Sequence, residues 1–458
     1  MQPAKSTNVS RREFLKNTGR VAAATGLVGT MVPHVHAAEK NTIQVALVGC
    51  GGRGTGAAAD AMAVTHCPVK LVAMADVFES KLTTSLSGLK RESGDAVDVP
   101  KERQFVGFDA YRHAMDCLKP GDIAIFATPL AFRWVHFTYA IEKGLHVFME
   151  KPLTADGPTS RRMLALGEQA KAKNLKVAVG LMTRHCRAFE QLAERIHGGE
   201  IGDLVLLRGY RMKGPEASSQ SPRKPAGMSE VAYQIQRFHS FLWASGGCFS
   251  DFYIHIIDHC CWMKNAWPVK AQALGGRHYR GENVDQNLDT YAVEYTFADD
   301  TKFFMEGRCM PGCEGINESF AHGTKGTAIL SATGDYGSGH PTATFKGLGS
   351  SAANRIWQSK DRSNPYRNEW NDLVEAVLHD KPYSEVQRGV EASLTASMGR
   401  MAAHTGRIVT MQQMRDHEHE YAPDVAKMTI DGPAPVMSDA SGRYPVPQPG
   451  ILLHREYA

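Results

Sequence analysis

The sequence predicts an α/β fold in two parts: an N-terminal, doubly wound parallel sheet, and a C-terminal α+β domain with an open, mostly antiparallel sheet. Three observations carry this. Strand-like and helix-like stretches alternate from residue 43 to about 182. From about 183, strand patterns of period two separated by turns take over. The first strand also runs straight into a glycine-rich loop that opens a helix. At 458 residues, 43% apolar and 22% charged, the chain is long enough for two or three domains of ordinary globular composition.

Ile43, Val45, Leu47 and Val48 read as a buried strand that ends in Gly49-Cys50-Gly51-Gly52-Arg53-Gly54, followed by an alanine-rich helix over Ala57–Ala63. The first glycine of such a loop allows a tight turn, the second lets a pyrophosphate approach the backbone, and the third lets helix and strand pack closely. The helix N-terminus then faces the phosphates. A structural βαβ turn is the competing reading of the glycines alone. The next strand, Lys70–Ala75, ends in Asp76, 22 residues beyond Gly54, where a carboxylate accepts bonds from an adenosine ribose. Strand, loop, helix, strand and acid together predict a Rossmann domain. Asp76 disfavours a 2′-phosphate, so NAD is expected rather than NADP. The remaining elements follow in order. Gln104–Val106 reads as a short strand, Tyr111–Leu118 as a helix, and Asp122–Ala127 as a strand ending in Thr128-Pro129. Phe132–Gly144 is helical, His146–Met149 is a strand ending in Glu150-Lys151-Pro152, and Ser160–Asn174 and Lys176–Leu181 are the last helix and strand. Ligands of such sheets lie at the carboxyl ends of the strands.

In the second region, helix Phe189–His197 precedes strands at Asp203–Tyr210, Val269–Leu274, Asp289–Phe297, Thr301–Gly307 and Gly326–Ser331. Amphipathic helices are expected at Asn368–His379 and Val386–Thr405. Gly214–Gly227 and Gly334–Ser351 are loops suited to a substrate-side lid, and the tail from 412 reads as a surface wrap. The divisions drawn are therefore 1–38, 39–182, 183–411 and 412–458.

The first of these reads as an export leader. Ser10-Arg11-Arg12-Glu13-Phe14-Leu15-Lys16 is a twin-arginine motif, followed by a mildly apolar stretch, Val21–Val32, and a small-residue cleavage site near Val35-His36-Ala37. A periplasmic destination follows, and no later stretch is apolar enough to anchor in a membrane. Residues 1–37 carry a net charge of +4, the same as the whole chain, so the rest is about neutral and gives no sign of nucleic-acid binding. The nine cysteines are scattered without a C-x-x-C, and most are expected to be free; Cys309 and Cys313 are the one pair close enough in sequence to suspect of bridging.

On GCGGRG, Asp76, Ala127-Thr128-Pro129, Glu150-Lys151-Pro152-Leu153 and the later GGCFSDFYIHIIDH, the chain resembles the Gfo/Idh/MocA family of sugar and cyclitol oxidoreductases over roughly 42 to 410. In its export signal it resembles the glucose–fructose oxidoreductases of that family. The resemblance implies a Rossmann domain, a second domain whose open sheet forms dimer or tetramer contacts, and a Lys at the nicotinamide and substrate, here Lys151. It also implies an Asp-x-x-x-His motif on a helix, here Asp251 and His255. There are two departures. Ala131 and Arg133 stand where the family commonly has histidines after Thr-Pro, with Trp134 and His136 beyond. Tyr253 replaces a common Gly. Both bear on the substrate.

Moving a hydride off an alcohol requires that the hydroxyl proton leave too, so a positioned acid/base is needed. Asp251, His255 and His259 are spaced i, i+4, i+8, on one face of a helix. His255 is the candidate base, Asp251 its partner, and Lys151 the group that polarises the oxygen. A core histidine bonded to a carboxylate is the plainer reading, and two His plus one carboxylate is also a set adequate for a divalent metal. No metal is expected. Gly49, Gly51, Gly52, Arg53, Gly54, Asp76, Thr128, Pro129, Glu150 and Lys151 are assigned to the cofactor. Arg184, His185, Tyr253 and His259 are assigned to the substrate, a sugar, polyol or glycoside. Free NAD is scarce outside the cytoplasm, so an exported enzyme is expected to hold its cofactor tightly and regenerate it within the cycle. Oxidation of one sugar coupled to reduction of another does this. Transient oxidation followed by elimination of a glycosidic substituent does so as well, with no net redox.

Overall fold

The computed structural model describes residues 42–278, 280–332 and 342–457, and the leader expected at 1–38 lies outside them. Six strands, β1 (Ile43–Val48), β2 (Val69–Asp76), β3 (Gln104–Val106), β4 (Ile123–Phe126), β5 (His146–Met149) and β6 (Val177–Val179), form one sheet in the order β3-β2-β1-β4-β5-β6. Every pairing in it is parallel. Helices α1 (Gly52–Met62), α2 (Glu79–Ser93), α3 (Ala110–Asp116), α4 (Arg133–Lys143) and α5 (Gly157–Ala172) are its crossovers. β1 is apolar on both faces because both are covered. The strand order reverses between β1 and β4, which opens a crevice beyond their carboxyl ends. Local chemistry fixes the helix ends. Asp156 caps α5 by accepting from the Thr159 N–H, and Gly144 stops α4 with φ +70°.

After α6 (Arg187–His197) comes a nine-stranded sheet of β7 (Leu204–Lys213), β8 (Lys270–Gly276), β9 (Thr290–Thr296), β10 (Lys302–Cys309), β11 (Ile316–Gly323), β12 (Gly326–Ser331), β13 (Ala343–Lys346), β14 (Arg355–Gln358) and β15 (Val409–Thr410). Its order is β14-β13-β12-β11-β7-β10-β9-β8-β15. Only β7 and β10 run parallel; the other neighbours are antiparallel. β11 escapes the sequence pattern because its inward positions are Ser319, Ala321 and Gly323 rather than large apolar residues. Between β7 and β8 lie α7 (Glu230–Gln236), α8 (Leu242–Ser245) and the 18-residue α9 (Gly247–Lys264). α9 sits close on the sheet because two strand residues lack side chains. A Cβ at Gly209 would collide with Ile256, and one at Gly307 with the Tyr253 ring.

The last helices are α10 (Pro365–Leu378), α11 (Val386–Thr405) and α12 (Met411–Asp416). Although α10 falls in the second region by sequence, its Trp370, Leu373 and Val374 share an apolar cluster with Ile43, Val45 and Leu47 of β1, and Trp370 stacks on Phe148 at 4.6 Å. The tail adds to the expectation. It runs over the surface but is anchored in the interior: Tyr421, Val425, Val436, Tyr444 and Tyr457 join Tyr233, Phe241 and Trp243 in a third buried cluster. Glu456, 1% exposed, bonds Arg400 at 2.8 Å and His404 at 2.9 Å inside the protein.

The suspected Cys309–Cys313 bridge is absent, and all nine cysteines are free. Cys309 is buried against Ser219 Oγ at 3.4 Å, while Cys313 is exposed on the following turn. Of the two expected lids, Gly214–Gly227 reaches the crevice through Ala217 and Ser218. The other lies partly outside the described residues, and its remainder, which includes β13 near one edge of the sheet, contributes no residue to the crevice wall.

Candidate active site

The glycine loop builds one wall of a cavity of about 350 Å³ at the crevice. Gly49 has φ +97°, and a Cβ there would meet the Ala127 backbone at 2.7 Å. A Cβ at Gly54 would collide with the Gly49 carbonyl oxygen, so this third glycine acts through packing. Gly51 and Gly52 are different: nothing lies within 4 Å of where their Cβ atoms would be, and both line the cavity. No side chain caps the N-terminus of α1. Open backbone and uncapped N–H groups at a helix start fit a pyrophosphate. Asp76 stands at the tip of β2, accepting from Cys50 N (2.7 Å) and Phe78 N (2.9 Å). Burial pushes its pKa up, against the pull of those two N–H bonds. Thr128 and Pro129 continue the wall from β4, and Phe78, Phe108 and Tyr111 supply an aromatic surface. The opposite wall comes from the segment before α9: Ala217, Ser218, Ile235, Phe238 and His239. The residues present therefore fit a dinucleotide, with Asp76 placed for a ribose.

Arg53 and Glu150, expected at the cofactor, are directed at each other instead. Arg53 Nε lies 2.5 Å from Glu150 Oε1, its other arm 3.6 Å from buried Glu369, and its guanidinium 4.7 Å over the Tyr366 ring. Neither lines the cavity; they brace the α1 start against the β5 end. Glu150 is so tightly held that a Cβ at Gly180 would meet its carboxylate at 2.6 Å.

At the end of β5, Lys151 reaches across to α9. Its Nζ donates to the Asp251 carbonyl at 2.5 Å and lies 3.3 Å from Asp251 Oδ1. The other carboxylate oxygen of Asp251 is 3.4 Å from His239 Nε2. His255, one turn on, is half-buried. Burial, with the charges of Lys151 and Arg211, holds it well below the usual histidine range, so it is neutral. The remaining residues assigned to the substrate do not line the cavity. His259 is fully buried, with Nε2 2.8 Å from Ser319 Oγ and its ring edge-on to Phe189. Tyr253 is buried against Phe249 and Tyr291 in the space left by Gly307. Arg184 forms two 2.8 Å bonds to the Asp258 carboxylate, away from the cavity. His185 sits between Asp372 (2.7 Å) and Glu385 (3.1 Å). Arg184 and His185 have each found a carboxylate partner, as a buried cation must. Among the described residues, no group of three or more His, Cys, Asp or Glu is arranged to hold a metal.

Two histidines of the cavity wall lay outside the sequence-based assignment. His136 lines the wall, with Nδ1 3.3 Å from Thr128 Oγ1, and burial plus Arg133 hold its pKa at about 3. Arg133 itself is buried, donating to Phe126 O (2.6 Å) and Thr128 O (3.1 Å), so it shapes the turn after β4. His239 is the second. It belongs to no spaced motif; its only signal is a lone histidine between aromatics, ahead of Gly246-Gly247.

A Rossmann-type parallel sheet followed by a mostly antiparallel sheet is an architecture shared with solved two-domain dehydrogenases. One is the scyllo-inositol dehydrogenase from Lactobacillus casei with bound NAD(H) and scyllo-inositol: TM-score 0.57 and 22% identity, covering 81% of this chain and 100% of that one. Another is the aldose-aldose oxidoreductase from Caulobacter crescentus complexed with glycerol, with TM-score 0.62 and 16% identity, covering 81% and 100%. In sequence, the inositol 2-dehydrogenase of Corynebacterium glutamicum (strain R) is 34% identical over 88 residues, 19% of this chain and 26% of that protein. The chain thus spans about a quarter of the length of that curated relative. No family model matches the chain.

Proposed function

We propose that this protein is an NAD-dependent oxidoreductase that transfers hydride between a tightly held nicotinamide and a hydroxyl of a sugar or polyol. The observation that carries this is the meeting of Lys151 with Asp251 beside a cavity whose other features fit a dinucleotide. The names of the relatives, inositol dehydrogenases and one NAD(H)-bound structure among them, support the same chemistry. When bound, the nicotinamide supplies the hydride acceptor. The chain's own residues do the rest. Gly51, Gly52 and the α1 start bind the phosphates, and Asp76 takes the ribose hydroxyls. The Lys151 ammonium polarises the substrate oxygen and lowers the alcohol pKa, and Asp251 holds that ammonium in place. The proton leaves through a neutral histidine, for which the spacing singles out His255. The cover formed by residues 217–239 supports a cofactor that does not exchange freely.

We further place the protein in the periplasm, exported folded by the twin-arginine route with its cofactor loaded, in the manner of the glucose–fructose oxidoreductases that its leader resembles. The outer face of the large sheet, with Leu274 78% and Ile408 59% exposed, is the surface through which a homodimer or homotetramer would form.

Protein purified from its host should carry NAD(H), and adding inositols or monosaccharides should raise the reduced-nicotinamide absorbance without added cofactor. Protein that carries none and does not bind it argues against the proposal. Release of aglycone from aryl glycosides, with no net change in the nicotinamide, moves the chemistry to the redox-neutral elimination.

A further inference from the structure

The cavity wall opposite the glycine loop ends in the short turn Phe238–Ser240, and His239 on that turn reaches from the wall to Asp251. Both nitrogens of its ring are engaged. Nδ1 lies 2.9 Å from Ser218 Oγ, and Nε2 faces Asp251 Oδ2 at 3.4 Å. Burial pulls the imidazole pKa down by more than Asp251 raises it, so the ring is neutral and carries one hydrogen. A carboxylate only accepts, which puts that hydrogen on Nε2 and leaves Nδ1 to accept from the Ser218 hydroxyl. Phe252, stacked at 5.3 Å and 16°, and Phe238, packed at 3.7 Å, hold the ring in place.

One buried amide ties this wall to the helix that carries Asp251. Asn287, 1% exposed, accepts from the Cys248 N–H in the first turn of α9 at 2.8 Å. Its other end donates to Ser219 O (2.8 Å) and His239 O (3.0 Å) on the wall. The amide comes this close because Gly247 has no side chain; a Cβ there would meet Asn287 Oδ1 at 2.7 Å. Wall and helix start are thus fixed to each other one turn ahead of Asp251, and the place of His239 relative to the carboxylate is fixed with them. Each Asp251 oxygen then has its own neighbour, Lys151 Nζ 3.3 Å from Oδ1 and His239 Nε2 at Oδ2. A carboxylate held at one oxygen only is free to rotate about its Cβ–Cγ bond, and the ammonium that it orients moves with it.

Resting on the oxidoreductase reading above, we propose that His239 is a positioning residue. Its Nε2–H holds Asp251 Oδ2 against rotation, so that Asp251 keeps the Lys151 ammonium aimed at the substrate oxygen. Ser218 fixes the tautomer that can do this, and Asn287 fixes the reach. The proton path through His255 is untouched, and His239 neither gives nor takes a proton. Because Ser218 and His239 both line the cavity, the contact that steadies the reacting carboxylate is built on the wall that covers the cofactor site.

The test uses full-length, cofactor-loaded protein on a polyol that the wild type oxidises. His239→Phe keeps a ring between Phe238 and Phe252 but offers Asp251 no donor. It should lower kcat about 30-fold, keep bound NAD and leave KM within about threefold. His239→Gln returns an N–H near the place of Nε2 and should hold kcat within about threefold of wild type. A residue that only supports Phe252 would give the opposite order. The second readout is a double-mutant cycle. In an Asp251→Ala background, where nothing is left to hold, adding His239→Phe should slow single turnovers by no more than about twofold. Independently of turnover and of any variant, nitrogen NMR of the imidazoles in the wild type should place the His239 hydrogen on Nε2. A hydrogen on Nδ1, losses that multiply in the Asp251→Ala background, or a His239→Gln as slow as His239→Phe would each overturn the proposal. If the wild type oxidises no polyol, the oxidoreductase reading falls and this role falls with it. If the wild type is active and His239→Phe matches it, only this role falls.

Discussion

Asp251 is 7% exposed and its two oxygens serve different neighbours, so a change that keeps its shape but removes its charge is informative. Asp251→Asn should leave the fold intact and lower kcat by about 100-fold, with Lys151→Ala at least as damaging, measured as single turnovers of bound NAD. A second residue-scale outcome concerns His185. Burial alone would depress this imidazole, but Glu385 and Asp372 outweigh it and hold its pKa at about 9, against 6.5 unperturbed. A raised folded pKa means that the stabilisation is complete below pH 6.5 and is lost as pH rises through 9. Urea titrations across that window should show stability falling by up to about 3 kcal/mol, and His185→Asn should flatten the curve. Lys151 and Asp251 were legible because each sits in a short motif. The others were not, for a geometric reason. Successive i+4 steps drift by about 40° around a helix, so His259, two steps from Asp251, has turned to the sheet while Asp251 still faces Lys151. Arg184 and His185 failed for another reason, since a sequence does not show which distant carboxylate will claim a buried cation.

The glycine loop is the clearest element, because its pattern states a backbone requirement, and the structure separates the glycines by purpose. Gly54→Ala should damage folding itself, since its Cβ strikes the Gly49 carbonyl. Gly52→Ala has open space around the new methyl, so its unfolding curve should stay near wild type while NAD affinity drops by about tenfold or more, as measured by nicotinamide fluorescence. Equal losses of stability in both would contradict this division. The seating of α9 was harder to see. The ring of Tyr253 on the helix is accommodated by the absent side chain of Gly307 on β10, 54 positions away, so the two read as unrelated until they are in contact. Strands with small inward residues, such as β11, give too weak an alternation to read, whereas β1, β4 and β5 announce themselves through continuous apolar runs.

Across the molecule, two sheets follow from composition and period, but the third apolar cluster does not, because the tail that builds it has no periodicity. Its Pro, Gly and Asp content suggests loop, and loop it mostly is, yet it binds the segments beside the cavity through two backbone acceptors and one side-chain donor. Gln234 donates to Val436 O at 2.6 Å, Gln286 to Pro445 O at 2.9 Å, and Tyr444 to Glu230 at 2.6 Å. Glu456 closes the arrangement against Arg400 and His404, and their charges hold its pKa at about 2 despite burial. Glu456→Gln, which leaves Arg400 buried beside a neutral partner, should cost about 3–5 kcal/mol in calorimetric unfolding and loosen retention of bound NAD on gel filtration. Loss of stability with full retention of cofactor would show that the tail supports the core without supporting those segments.

The residues that pin the segments beside the cavity are made long after the walls. A growing chain can finish both sheets' strands up to β14 and still lack residues 430–457. The segment 217–239 therefore gains its outer packing only after those residues are made.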